Sequence, residues 1–131
     1  MYSKLPKYRY NKTLDLLKRV IPAPATILDL GVRNPFSEIM EEHGYTVLNT
    51  NGEDLDLLPE IVKNYKIDAV TSFEIFEHLI APFNVLRAIE CDKILTTVPL
   101  KLWFSSASRS PTDILASHYH EFEDWQFDFL F

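Results

Sequence analysis

Short apolar runs alternate along this chain with segments of helical spacing. Thr26-Ile27-Leu28-Asp29-Leu30-Gly31 is an apolar run that ends on an acid, a Leu and a Gly. Asp68-Ala69-Val70-Thr71-Ser72-Phe73-Glu74 repeats that form some forty residues later. Such runs predict buried parallel strands that deliver the chain to ligand loops. Further strands are predicted over Tyr45–Asn49 and Lys93–Val98, the last closed by Pro99, and the second run is taken as a strand over Ile67–Phe73. Leu14, Leu17 and Ile21 recur at helical spacing behind Asn11 as N-cap, with Pro22 and Pro24 as stops. Asn34 caps a second predicted helix, with Pro35 at its first position and Gly44 past its end. A short helix is expected over Leu58–Tyr65, another over Pro82–Glu90 and an aromatic-rich one over Glu121–Phe131, after a polar loop at 105–113.

Strands alternating with helices predict an α/β fold, a three-layer sandwich around a Rossmann-like, mainly parallel sheet. Ligands of such sheets sit outside the carboxyl ends of the strands. Gly31 and Glu74 therefore point to one binding edge. The 131 residues are expected to form a single domain, with 1–10 as a basic N-terminal arm.

Composition narrows the classes. With 47% hydrophobic and 13% aromatic residues, the chain can bury a core. A net charge of −6 argues against specific nucleic-acid binding, which needs a basic face. The charge is uneven: residues 1–33 carry seven Lys/Arg against two acids, the remainder six against seventeen. Lys4, Lys7, Arg9 and Lys12 are read as a solvated arm rather than a phosphate contact. The single cysteine, Cys91, excludes an internal disulfide and suits a small core residue. No run reaches the length of a membrane span and no leader is visible, so a cytoplasmic protein without a membrane partner is expected.

Four segments in order resemble the class I S-adenosylmethionine-dependent methyltransferases. Ile27-Leu28-Asp29-Leu30-Gly31 is similar to that family's first motif, Phe73-Glu74-Ile75-Phe76-Glu77-His78-Leu79 to its fourth-strand exit, Ile94-Leu95-Thr96-Thr97-Val98-Pro99 to its fifth strand, and His120-Glu121-Phe122 to a later element. The resemblance implies about five strands in the order 3-2-1-4-5, here without the usual C-terminal antiparallel hairpin. It implies S-adenosylmethionine as cofactor and methyl transfer to a small-molecule acceptor. Cofactor contacts are expected from Asp29, Gly31, Arg33, Asn49, Asn51, Asp54, Phe73 and Glu74. The alternative is a catalytically inactive methyltransferase-like domain that binds a partner.

The glycine loop departs from the family's Gly-x-Gly-x-Gly: its positions are Gly31, Arg33 and Pro35. Arg33 either pairs with the methionine carboxylate through its planar fork or fills the cofactor's space. Asp29 either braces the loop or accepts from the cofactor's ammonium. The second strand exits on Asn49-Thr50-Asn51, weaker ribose partners than a carboxylate, with Glu53 and Asp54 following. Glu77 and His78 are the catalytic candidates. His78 is a general-base candidate by residue type, but the pair also suits a loop cap. No metal is expected: His118 and His120, two apart, would face different sides of a helix. Trp103, Phe104, Tyr119 and Trp125 line either an acceptor pocket or the core. Phe122, Trp125 and Phe129 on one side of the last helix would cover the sheet. Phe127 and Phe131 on another would join a partner copy, giving a homodimer through that helix and the open sheet edge.

Overall fold

The structure, a computed structural model, describes residues 7–131, and of Phe129 the backbone alone. Four parallel strands form one sheet: β1 (Thr26–Asp29), β2 (Thr46–Asn49), β3 (Ala69–Phe73) and β4 (Ile94–Thr97). Their order is β2-β1-β3-β4, so the chain reverses its direction of winding between β1 and β3. Pairing is in register from Thr26–Thr46 to Asp29–Asn49 on one side of β1, and from Ile27–Ala69 to Asp29–Thr71 on the other. β4 continues from Val70–Ile94 to Phe73–Thr97.

Helices cover both faces. Side chains alternate along a strand, so Ile27 and Leu28 serve opposite layers. Ile27, Val47, Ala69 and Leu95 pack under Leu14 and Leu17 of α1 (Lys7–Val20) and Phe36 and Met40 of α2 (Pro35–Glu42). Leu28 and Val70 pack on the other side with Val62, and with Val85 and Ala88 of α3 (Pro82–Ala88). The expected three-layer α/β arrangement is therefore present.

Asn34 caps α2 as its sequence predicts. Its side chain accepts from the amides of Phe36 and Ser37, while Ser37 Oγ accepts from the Asn34 amide. Pro35 stands at the first helical position, and Gly44 follows the end at φ +92°.

Other expectations need correction. Among the described residues the sheet has four strands, not five. The stretch from Thr50 to Asp68, where a third family strand would lie, holds turns and a 3₁₀ segment over Pro59–Asn64. Its acids and Pro59 interrupt the β-branched run a buried strand needs. The first helix begins at Lys7, not Asn11, so residues 7–10 of the expected arm are helical; residues 1–6 lie outside the described residues. Tyr10 explains the extension, since its ring stacks on Phe36 at 5.3 Å.

The last helix is shorter than expected: α4 covers Asp124–Leu130. Trp125 on it is exposed, not laid on the sheet. Phe127 packs on Phe122 and Phe131 within its own chain, and Phe131 reaches Phe76 at 6.3 Å. After β4 the chain folds back on itself at a bridge between Leu100 and Phe122, in which the Lys101 amide donates to the Phe122 carbonyl at 2.8 Å.

Candidate functional site

The carboxyl ends of β1 and β3 flank the point where the winding reverses, the position at which open parallel sheets bind ligands. A pocket of about 150 Å³ opens there. Its floor is Asp29 to Val32 and Phe73 to Ile75; α1 supplies Arg9, Tyr10 and Thr13 to its wall, α2 supplies Phe36, and β4 supplies Thr97. Phe36 and Phe73 meet edge to face at 5.2 Å. A second pocket of about 400 Å³ lies beyond, with Thr50, Asp54, Leu55 and Leu79 from the sandwich and Leu115 and Tyr119 from the later chain. Gly31 and Ile75 line both pockets.

Gly31 sits at φ +104°, a conformation that side chains resist. A Cβ there would lie 3.4 Å from Ile75 Cδ1. The space would admit a Cβ at ordinary contact distance, so it is the backbone conformation that keeps the loop bare between the two pockets.

Asp29 is 1% exposed and braced on every side. Thr71 Oγ1 donates to its Oδ1 at 2.8 Å, and the side-chain amides of Asn34 and Asn49 both donate to its Oδ2 at 3.2 Å. Burial outweighs these bonds and raises its carboxyl from 3.8 to about 6. Asn49 also donates to the Gly31 carbonyl at 3.3 Å. Asp29 and Asn49 thus hold the loop, the bracing role of the two weighed for Asp29.

Arg33 does not reach either pocket. Its guanidinium turns to Glu41 of α2 in a two-point contact at 3.0 and 2.5 Å. Asp54 lines the larger pocket, where its carboxylate accepts from the Asp56 amide at 3.0 Å, while Asn51 is exposed beside it and donates its amide to Glu53.

Glu74 lies on the first pocket with φ +58°, unusual for a residue with a side chain. Such backbone costs on the order of 1–3 kcal/mol and persists where surrounding contacts enforce it. Here the Glu74 amide donates to the Thr97 carbonyl at 2.9 Å, Thr97 Oγ1 donates to its carboxylate at 3.0 Å, and Arg9 pairs with the same carboxylate. Arg9, read from the sequence as part of a solvated arm, is therefore a site residue.

Glu77 and His78 lie in a 3₁₀ turn, Phe76–His78, on the opposite face of the sheet. Glu77 is 1% exposed, and its Oε2 has no hydrogen-bond partner. Burial raises its carboxyl to about 7. The later chain crosses directly above: the amides of Tyr119 and His120 both donate to the Glu77 carbonyl, at 2.7 and 3.2 Å. His118 and His120 sit on this irregular stretch, not on a helix, so the helical argument for separating them does not apply. His118 stacks edge-on against His78 with ring centres 4.9 Å apart, and His120 reaches the Ile80 carbonyl at 3.0 Å.

The structure thus brings Asp29, Gly31, Phe73 and Glu74 together, sets Asn49 beneath them, and leaves Arg33 outside. The sequence alone suggests a solvated arm for Arg9 and does not mark Phe36 or Thr97; the packing of α1, α2 and β4 places them at the pocket. No family model, curated protein or solved structure compared with the chain matches it.

Proposed function

We propose that this chain binds S-adenosylmethionine, or a closely related nucleoside with a zwitterionic tail, and transfers its methyl group to a small-molecule acceptor. The observation that carries this reading is the paired pocket at the winding reversal, joined across the bare backbone of Gly31. The first pocket combines aromatic walls with an Arg9–Glu74 ion pair. A zwitterion matches it charge for charge: a carboxylate for Arg9, an ammonium for Glu74. The larger pocket offers Glu53 and Asp54 as acceptors for ribose hydroxyls and Leu55 and Leu79 as an apolar bed for a base. On this reading β2-β1-β3-β4 corresponds to the family order 3-2-1-4-5 with its third strand replaced by the 3₁₀ segment. Methyl transfer from a sulfonium depends chiefly on positioning, so no general base is assigned.

A second reading keeps the binding fold without the chemistry. It rests on Arg33 turning away to Glu41, on Asn49 being spent inside the loop, and on the exposure of Trp103 and Phe104, at 93% and 67%, which suits a protein contact.

Calorimetric titration with S-adenosylhomocysteine separates the two. The first reading expects saturable heat, weakened about tenfold or more in Glu74→Gln, the loss of a charge-assisted contact. Absence of heat at millimolar ligand overturns it in favour of the second.

A further inference from the structure

Two histidines and a buried carboxylate converge where the late chain crosses the exit of β3. One ring nitrogen each of His78 and His118 and a carboxylate oxygen of Glu77 lie within 4.8 Å of one another. His78 Nε2 is 3.9 Å from Glu77 Oε1. Glu77 Oε2 is fully buried, yet no donor reaches it. Buried carboxylate oxygens are rarely left without a partner, and an unmet one calls for a water or an ion.

The histidines are oriented in a way that proton sharing alone does not require. His78 Nδ1 lies 3.0 Å from the Ser117 carbonyl. His118 Nδ1 lies 3.2 Å from Glu121 Oε1. A carbonyl and a carboxylate only accept, so each neutral ring carries its proton on Nδ1 and keeps a lone pair on Nε2. A ring nitrogen held by a carboxylate or a backbone carbonyl is the usual support of a metal-ligating histidine.

We propose that Glu77, His78 and His118 bind a divalent transition-metal ion of the zinc type, with Glu121 and the Ser117 carbonyl orienting the two imidazoles. Two imidazoles and one carboxylate suit zinc, whereas magnesium prefers oxygen ligands and retains its waters. Zinc–nitrogen bonds of about 2.0–2.1 Å place tetrahedral ligands about 3.3 Å apart, so the three groups close inward on binding. Both histidines have room to do so, being partly exposed at 30% and 19% of their side chains. Three protein ligands leave a fourth position for water or an oxygen donor. His78 also lines the 400 Å³ pocket that Leu115 and Tyr119 help to wall, so the three groups lie at the border of that pocket. Glu74, three residues earlier, takes no part, because Arg9 and Thr97 occupy its carboxylate. The inference does not depend on methyl transfer.

The test uses the full chain, stripped with a chelator and titrated with zinc in competition with a fluorescent zinc indicator. One equivalent is expected to bind. His118→Ala and Glu77→Gln should each weaken binding by at least tenfold, and Glu121→Gln by about 10–100-fold, the usual range for a group that orients a ligand. His43→Ala, whose ring instead reaches the Ile39 carbonyl at the end of α2, should leave binding unchanged. Should a variant fail to fold, cobalt added to the unaltered chain gives a second readout: intense visible bands of a low-coordinate ion with nitrogen ligands. Absence of stoichiometric zinc binding, a cobalt spectrum of the hydrated ion, or full affinity in both folded ligand variants would overturn the site. Binding of magnesium in preference to zinc would overturn the ion class.

Discussion

The sandwich from α1 to β4 and the chain that follows it are held by different physics. Both apolar clusters draw their fully buried members from residues 14 to 95. Beyond Val98, Phe122 is the one buried hydrophobic residue among those described, while Leu102, Trp103, Phe104, Ile114, Leu115 and Trp125 are exposed. The later chain is fixed instead by polar contacts to one short segment: Glu77 accepts from Tyr119 and His120, His78 meets Ser117, and His120 meets Ile80. Hydrogen bonds contribute about 1 kcal/mol each net, whereas a buried large side chain contributes two or three times that. Stability is therefore concentrated in the sandwich, and the later chain depends on it rather than the reverse.

The largest expected effect lies where the two regions meet. Phe76 is fully buried beside Leu28 and Val85 and also touches Phe131. Phe76→Ala should cost about 3–5 kcal/mol in denaturant unfolding, the sum of lost burial and the cavity left behind. A loss below about 1 kcal/mol would mean that the sandwich is not the stable half.

A second test concerns charge inside the sandwich. The Asp29 carboxyl is raised from 3.8 to about 6 in the folded chain, so between those values the folded state holds a proton that the unfolded chain has released. Stability is then fully present below the lower value and is lost as pH rises through the upper one, by about 3 kcal/mol in all. Asp29→Asn fits the same partners, with its oxygen facing the two asparagine amides and its nitrogen facing the Thr71 hydroxyl. The variant should gain on the parent by about 2–3 kcal/mol between pH 4 and pH 7 in urea titrations. Parallel profiles would place the charge outside the sandwich's energetics.

The smallest effect belongs to the later chain. Trp103 is almost wholly exposed and contacts Phe104 edge-on. Trp103→Ala should change unfolding free energy by less than about 0.5 kcal/mol, as surface substitutions do. A larger loss would show cover for this ring that the chain itself does not supply.

The same division explains what was legible in the sequence. The strands, the Asn34–Pro35 cap and the Gly44 stop rest on local rules that burial reinforces, and all three are present. The missing third strand was written in the run from Gly52 to Asp56, where acids replace β-branched residues, yet the family pattern argued otherwise. The pocket's Gly31, Phe73 and Glu74 were readable because strand ends deliver them. Arg9 and Phe36 were not, because nothing local says that α1 and α2 lean over β1. The argument that separated His118 from His120 holds only on a helix, and here the backbone is irregular.

The wall of the larger pocket has a consequence for selectivity. Leu55 and Leu79 on one side belong to the well-packed half, whereas Leu115 and Tyr119 on the other belong to the loosely held one. A cavity with one rigid and one yielding side discriminates poorly by shape, since the yielding side adapts to bulk at small cost. It discriminates well by polar match on the rigid side, where unpaired buried groups are penalised in full. On the proposed reading, a ligand of this pocket would therefore be chosen by what it presents to the backbone near Gly31, and its outline toward Tyr119 would be free to vary.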